Sequence, residues 1–333
     1  MHRVVLSLGS NIGNREENLR KALYLLGHRG IRILKASRII KSAPWGNWDQ
    51  PDFLNMAVMA ETSLPPENLL KTIKEIEKDM GRITGHMKPR IIDIDIILFG
   101  NLVLKTDKLE IPHPSYKERG FVLAPLIEIA PTLKDPITKQ TMSELYSEYL
   151  QLPFVGSIRT PIGDFFVSVK NETVIATSFQ KIRGRMEYTT FLGKILKKLQ
   201  KYFEGKPVKF NEFKLQLSLL PPAYRRIYDV LRKLPYGVVI SYSEIAELSG
   251  IHGGARVVGN AMKKNPIPII IPCHRVIRSD GSIGNYSAGI DKKIFLLKLE
   301  LKDNFFNVFP ECAHQSSNNN LIKLTTAHTL EFF

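Results

Sequence analysis

Arg90-Ile-Ile-Asp93-Ile-Asp95-Ile-Ile-Leu-Phe99 is the stretch from which the fold of the first half can be read. Five isoleucines, a leucine and a phenylalanine surround two aspartates, and β-branched residues at this density mark a buried strand over Ile91–Phe99. Along a strand, residues i and i+2 share a face, so Asp93 and Asp95 project together about 7 Å apart at the backbone. Two such carboxylates repel unless cations lie between them. Hard Mg²⁺ is the natural filler, and a pair of ions about 4 Å apart is the usual clamp for phosphoryl chemistry. The plain alternative is two solvated carboxylates on an edge strand. Arg82 and Arg90 just upstream favour a polyphosphate site. The chain has no G-x-x-x-x-G-K-S/T, so a P-loop is excluded.

Outward from this strand, apolar spacing predicts the partners. Val4–Gly9 reads as a strand, Arg15–Leu26 as a helix with Leu19, Leu23 and Leu26 on one face, and Ile31–Lys41 and Asn55–Thr62 as strands. Pro65-Pro66 opens a helix with the stripe Leu69, Ile73, Ile76 and Met80. The order β-α-β-β-α-β suits a ferredoxin-like sandwich, a sheet with helices on one face. Ser143–Leu150 reads as a closing helix and Gln151–Gly156 as a linker. Trp45, Trp48, Asp49 and Gln50 lead into Phe53-Leu-Asn55, and aromatics beside amides suit a flat heterocycle. Turn and core is the ordinary alternative.

The whole chain sets the limits. Its 333 residues suggest about two domains, and 44% hydrophobic with 24% charged residues excludes a wholly disordered chain. No apolar run reaches membrane-spanning length, and the short apolar run after Met1-His2-Arg3 does not read as a signal peptide's apolar core. Two cysteines, Cys273 and Cys312, exclude a disulfide framework and suggest a cytoplasmic protein. The net charge of +15 is uneven: residues 1–150 carry 21 Lys/Arg against 18 Asp/Glu, and residues 151–333 carry 26 against 14. The second half is therefore the candidate for a polyanion partner, nucleic acid first, although a lysine-rich solvated surface gives the same sum.

In that half, Ser157–Arg159, Phe165–Val169 and Val174–Ser178 read as strands and Tyr188–Phe203 as a basic helix. Ala223 onward turns helical, and short helices at Tyr242–Ser249 and Gly254–Lys264 around Gly250-Ile-His-Gly253 read as a helix-turn-helix. Residues 303–333 read as a poorly ordered tail. Ile269-Ile-Ile-Pro272-Cys273-His274-Arg275-Val276 carries the sharpest chemistry: an apolar strand delivering a cysteine beside a histidine. A free thiol is only a few per cent ionised near pH 7, and an adjacent imidazole can take its proton. Cys312 has no such setting and reads as a bystander.

Two resemblances follow from these motifs. Leu8-Gly-Ser-Asn-Ile-Gly-Asn14, Asp49-Gln-Pro-Asp-Phe-Leu-Asn55, Glu77…Gly81-Arg82, Pro89-Arg90…Asp93-Ile-Asp95 and Pro112-His113…Arg119-Gly-Phe121 resemble the 6-hydroxymethyl-7,8-dihydropterin pyrophosphokinases of folate synthesis. The resemblance implies a ferredoxin-like domain over 1–150, with ATP and a pterin as substrates and two Mg²⁺ held by Asp93 and Asp95. It implies pterin contacts from Ser42, Phe53, Asn55 and Phe121, catalytic phosphate contacts from Arg82 and Arg90, and an ATP site with Glu77, His113 and Arg119. The stretch between Arg82 and Arg90 is shorter than is usual in the family, which implies altered closure over the nucleotide.

Thr160-Pro-Ile-Gly163, Pro235-Tyr-Gly237, Ser241-Tyr242, Ala255-Arg256-Val-Val-Gly259, Asn265-Pro266, Ile271-Pro-Cys-His-Arg-Val276 and Gly284-Asn-Tyr-Ser287 resemble the O6-alkylguanine-DNA alkyltransferases. That family implies an RNase-H-like subdomain over 156–222, then a helix-turn-helix-bearing active-site domain over 223–302. Cys273 would accept the alkyl group, with His274 its base through a water and Glu300 orienting His274. Tyr242 and Ser287 would bind the flipped guanine, Arg256 would enter the stack, and Asn265 would hold the active-site loop. Lys263 and Lys264 would meet phosphates of double-stranded DNA, and this half would need no cofactor. Ala288 stands where the family usually has Gly, which implies a narrower lesion pocket. The resulting expectation is a bifunctional, monomeric, cytoplasmic enzyme with no membrane partner. Its alternatives are a non-enzymatic lesion sensor in the second half and a decayed nucleotide-binding module in the first.

Overall fold

A computed structural model of the chain describes residues 1–43, 50–81, 89–310 and 312. Trp45, Trp48, Asp49, Arg82 with the shortened stretch behind it, and residues 313–333 lie outside the described residues. The fold is mixed α/β and divides into two units: Met1–Gly156 with Ile182–Leu192, and Ser157–Lys181 with the chain from Gly193 onward.

The first unit runs β1 (His2–Ser10), α1 (Arg15–His28), β2 (Ile31–Ala36), β3 (Ile40–Ser42), β4 (Phe53–Thr62), α2 (Pro66–Asp79) and β5 (Asp93–Phe99). The sheet order is β2-β4-β1-β5 with β3 added to β4, and every pair is antiparallel. Asn14 starts α1 by accepting the Glu17 amide at 3.3 Å. Pro66 begins α2, whose Leu69, Ile73 and Ile76 are fully buried. A hairpin β6 (Leu104–Lys105) and β7 (Glu110–Ile111) leads to α3 (Gly120–Ile129) and α4 (Met142–Gln151).

Three expectations are corrected in this unit. The strand expected over Ile31–Lys41 breaks at Ser37, where the buried hydroxyl accepts the Ala57 amide at 3.0 Å and interrupts the ladder. Helices cover both faces of the sheet. Val4, Leu6 and Leu8 pack with α1 and α2, while Val5, Ala57 and Ile97 pack with Val122, Leu126, Leu145 and Tyr149 of α3 and α4. The unbroken apolar run of β1 already carried that signal, because a strand polar on one side would alternate. The expected linker Gln151–Gly156 is the end of α4 followed by the start of β8 (Phe154–Thr160), where Val155 donates to the Arg185 carbonyl at 2.8 Å.

The second unit has the three-stranded sheet β10-β9-β8, with β9 at Gly163–Lys170 and β10 at Thr173–Ser178. There follow α5 (Thr190–Phe203), α6 (Pro222–Lys233), β11 (Ile240–Ser241), α7 (Tyr242–Leu248) and α8 (Ala255–Lys263). A 3-10 turn at Cys273–Arg275, β12 (Val276–Ile277) parallel to β11, α9 (Ile290–Leu301) and α10 (Phe305–Val308) complete it. The apolar strand expected before Cys273 is a buried turn. Pro266 and Pro268 donate no amide to a ladder, and Ile269 sits at φ 73°. The tail expected from residue 303 is also corrected over its first residues: Phe305 and Phe309 are buried against Leu297 and Leu301, because two aromatics there complete a small core. No helix among the described residues is long and apolar enough to cross a membrane.

Candidate functional site

In the first unit the sheet register lays the candidate residues out in rows. Gly9 of β1 pairs with Asn55 on one side and Asp93 on the other, and Ser7 pairs with Ala57 and Asp95. Asp93 and Asp95 thus share a face with Asn55, and Gly9 leaves the floor between them flat. A Cβ at Gly9 would lie 3.0 Å from Asn55 Oδ1 and 3.6 Å from the Phe53 ring. Strand β3 brings Ser42 opposite Phe53, and Asn55 Nδ2 donates to Ser42 Oγ at 2.9 Å. Phe53 and Phe121 are half-buried, with the Arg119 guanidinium 5.8 Å from the Phe121 ring centre.

Cations meet both carboxylates. Arg90 Nη1 pairs with Asp93 Oδ2, Arg119 Nη1 reaches Asp95 Oδ2 at 3.4 Å, and His113 Nε2 stands 4.0 Å from the same oxygen. The Ser115 amide donates to His113 Nδ1 at 3.3 Å, which leaves the neutral ring's proton on Nε2, facing Asp95. Burial pushes the imidazole below its ordinary pKa, against the opposing pull of Asp95. The described residues contain no cluster of three or more His, Cys, Asp or Glu able to hold a metal. The donors offered are the two hard carboxylates, which fits an ion such as Mg²⁺ that keeps waters and substrate phosphates as its other ligands.

Glu77, expected at the nucleotide, is buried, accepts the Ile94 amide at 2.9 Å and pairs with Lys74. It anchors α2 to the strand that carries the aspartates. Asn11 had no role in the sequence reading. It is buried, its amide donates to the Arg90 carbonyl at 3.0 Å, its Oδ1 accepts from the Arg90 amide at 2.6 Å, and its Nδ2 reaches Gln50 and Pro51. One side chain therefore ties the end of β1 to the loops before β4 and β5. Asp135 does the same for the loop before α3. It is fully buried and accepts from Tyr116, Lys117 and Thr138. Burial alone would raise its pKa, but those donors prevail and hold it at about 2.

In the second unit, Cys273 is buried, with its sulfur 3.0 Å from Asn265 Nδ2. The same amide group donates to the Ile271 carbonyl at 2.9 Å, and Asn265 Oδ1 accepts from Ile267 at 3.0 Å. Burial pushes the thiol above its ordinary pKa, while Asn265, Lys293 and Tyr286 pull the other way. His274 Nε2 lies 2.8 Å from Glu300 Oε1, and both side chains are buried. Its Nδ1 is buried and finds no partner among the described residues. Glu300 also accepts from Tyr202 at 2.6 Å, Arg275 Nε at 2.7 Å and the Gly237 amide at 3.1 Å. Burial works to raise its pKa, but His274 and Arg275 overcome this and hold it well below the usual carboxylate range. A carboxylate on Nε2 leaves the Nδ1 lone pair available as a base.

Tyr202 and Arg275 are parts of this cluster that the sequence reading did not assign, and so is Lys293. Its fully buried ammonium donates to the Val276 and Ile283 carbonyls at 2.6 Å each, tying together two segments that follow the thiol in the chain. Burial lowers the Lys293 pKa to about 8. Tyr242 opens α7, where Ser241 and Glu244 form a reciprocal cap, and its hydroxyl faces Gly284. Ser287 is exposed on the loop before α9. Arg256, Lys263 and Lys264 are exposed at the two ends of α8, while Val258, Ala261 and Met262 bury its other face.

Comparison with known proteins agrees with this division. Residues 5–131 match the family described as 7,8-dihydro-6-hydroxymethylpterin-pyrophosphokinase, and residues 222–302 match the 6-O-methylguanine DNA methyltransferase, DNA binding domain. The chain is 40% identical over 155 residues to the 2-amino-4-hydroxy-6-hydroxymethyldihydropteridine pyrophosphokinase of Aquifex aeolicus, covering 46% of this chain and 96% of that protein. It is 48% identical over 129 residues to the mitochondrial folate synthesis bifunctional protein of Arabidopsis thaliana, covering 38% of this chain. The chain spans only 23% of that relative's length, and similar fractions of the other long relatives. The structure of Mycobacterium tuberculosis OGT in complex with DNA is 32% identical, covering 47% of this chain and 99% of that one, with a TM-score of 0.40.

Proposed function

This chain belongs to the 7,8-dihydro-6-hydroxymethylpterin-pyrophosphokinase family through residues 5–131 and carries a 6-O-methylguanine DNA methyltransferase DNA-binding domain at 222–302, and we propose that it is a bifunctional enzyme of folate synthesis and DNA repair. Residues 1–150 are assigned to the pyrophosphokinase, 156–222 to the first alkyltransferase subdomain and 223–302 to its active-site domain. The antiparallel order β2-β4-β1-β5 with its two crossing helices supports a ferredoxin-like reading of the first, and β8–β10 with α5 an RNase-H-like reading of the second. The cytoplasm is the proposed compartment.

In the first reaction the hydroxymethyl oxygen of the pterin attacks the β-phosphorus of ATP. The new O–P bond forms as the bond from that phosphorus to the AMP oxygen breaks, and AMP leaves. Asn55 and Ser42 hold the edge of the pterin over the Gly9 floor, and Phe53 and Phe121 supply its stacking faces. Arg90, Arg119 and His113, with Arg82, receive the phosphates. Asp93 and Asp95 would hold two Mg²⁺, which supply charge neutralisation on the triphosphate. The remaining work is positioning, and Asn11 and Asp135 fix the loops that do it.

In the second reaction the Cys273 thiolate attacks the alkyl carbon on guanine O6. The C–S bond forms, the C–O bond breaks, and guanine leaves with a proton. His274 Nδ1 is the group that takes the thiol proton, relayed through a water, and Glu300 holds the ring and stabilises its charged form. Asn265, Lys293 and Tyr286 stabilise the sulfur anion. The lesion lies inside a duplex, so Arg256 is assigned to replace the extruded base, and Lys263 and Lys264 to phosphates. The thioether product is stable, so each chain acts once.

The observation that carries the reading is the buried contact of Glu300 with His274, the residue that follows the buried Cys273. Intact-mass analysis after exposure to O6-methylguanine duplex, paired with AMP release from ATP and 6-hydroxymethyl-7,8-dihydropterin, tests both halves. One methyl group per chain on Cys273 and pterin-dependent AMP are expected. No mass gain, a methyl on Cys312, or no AMP overturns the corresponding half.

A further inference from the structure

The segment Ile182–Leu192 lies beyond β10 in sequence yet belongs to the first unit. It is built into that unit. Arg185 exchanges backbone bonds with both sides of Phe154, donating to the Pro153 carbonyl at 2.7 Å and accepting from Val155 at 2.8 Å. Its guanidinium lies 3.9 Å from the centre of the Phe154 ring. Two residues on, the Glu187 carboxylate accepts a hydrogen bond from the Tyr149 hydroxyl, and both oxygens stand directly against Gly120. A Cβ at position 120 would fall 2.6 Å from the Tyr149 oxygen, so only glycine permits this approach.

Gly120 is the first residue of α3, between Arg119 and Phe121. This helix has no side-chain cap and no acidic residue in its first turn. Such a terminus carries unsatisfied amides and partial positive charge, and an anion placed there fixes it. Glu187 supplies that anion through Tyr149. The two residues flanking Gly120 are those assigned to the nucleotide and to the pterin face.

We propose that Glu187 is a positioning residue for the pyrophosphokinase site, acting through Tyr149 on the first turn of α3 to set Arg119 and Phe121. The proposal rests on the reading of that site given above. Its consequence is that a segment within the stretch assigned to the alkyltransferase completes the pterin side of the other enzyme.

The test uses the full chain as Glu187→Ala, Glu187→Gln and Tyr149→Phe. Steady-state AMP release is measured with pterin and ATP varied separately, alongside amide hydrogen exchange of Gly120 to Leu123. Glu187→Ala and Tyr149→Phe are expected to raise KM for the pterin about three- to tenfold with kcat within about twofold. Exchange at Gly120 should quicken in both. Glu187→Gln, which keeps an acceptor oxygen, is expected to recover part of the KM. Unchanged KM and exchange in both disruptive variants overturns the proposal. So does a fall in kcat at unchanged KM, which marks loss of folded protein rather than mispositioning. If the wild-type chain itself releases no AMP, the reading of the site fails, while the exchange measurement still decides whether Glu187 holds α3.

Discussion

Glu300 gathers more of the proposed alkyl-transfer site than any other described side chain, receiving His274, Tyr202, Arg275 and the Gly237 amide on its two oxygens. A buried charge held by so many donors is costly to neutralise, because each donor loses its anion at once. Glu300→Gln is therefore expected to slow methyl transfer by about 10²-fold and to cost about 3 kcal/mol of stability, with duplex affinity unchanged. Single-turnover transfer, urea unfolding and anisotropy read the three separately, and full-rate transfer would remove Glu300 from the mechanism. Tyr202→Phe deletes one neutral donor and should cost about 1 kcal/mol with a smaller rate effect. The adjacency of Cys273 and His274 was legible in the sequence, and Glu300 entered through the family resemblance; the structure brings Glu300 to His274. Tyr202 was not legible, since it reaches Glu300 across 98 residues from a helix whose other buried positions are ordinary core. Ile269 is a comparable case. Nothing local announces that a β-branched residue takes a left-handed backbone, which costs about 1–3 kcal/mol and persists only where the surroundings impose it.

Among elements, β1, β4, β5, α1 and α2 lie where their apolar runs and stripes place them, and α3 has no such signal. Gly120-Phe-Val-Leu-Ala-Pro-Leu-Ile-Glu-Ile is apolar almost throughout and holds Pro125, so neither period 2 nor 3.6 stands out. Its first turn is reached through the loop that Asp135 clamps. That clamp has a pH signature. The folded pKa of Asp135 is lowered from 3.8 to about 2, so its stabilisation is complete above the unfolded value and is lost as the pH falls from about 4 through about 2. The size is about 2 kcal/mol. Asp135→Asn should lose roughly that amount at neutral pH and show a shallower acid limb between about pH 4 and 2 in urea unfolding followed by a probe in the first unit. An acid limb identical to wild type would mean that Asp135 does not carry the linkage. Asn11 acts on the opposite side of the site. Asn11→Ala should raise KM for ATP several-fold, because the Arg90 amide loses its side-chain acceptor on Asn11 and the loop before β4 loses Nδ2, with only the main-chain bond from residue 11 to the Arg90 carbonyl left.

At the scale of the whole molecule, charge and chain path together decide how DNA binding must be tested. Residues 151–333 carry 26 Lys/Arg against 14 Asp/Glu, and residues 1–150 are nearly balanced at 21 against 18. Cutting the chain at 150 to compare halves would strip Ile182–Leu192 from the first unit and confound affinity with folding. Point variants of the intact chain avoid this. Each cation that meets a phosphate releases counterions on binding, so the slope of log affinity against log salt measures the number of phosphates engaged. Lys263→Ala and Lys264→Ala remove exposed charges at the end of α8, and each should reduce that slope by about 1. Arg256 lies at the other end of the helix and is assigned to the base stack. Arg256→Ala should therefore abolish most methyl transfer while changing the slope by less than either lysine variant. Anisotropy with an O6-methylguanine duplex between about 50 and 200 mM salt gives the slopes, and transfer on the same samples gives the repair rate. Slopes unmoved by both lysine variants would take the phosphate contacts off α8, and an Arg256→Ala variant that repairs at full rate would take the intercalating role from that residue.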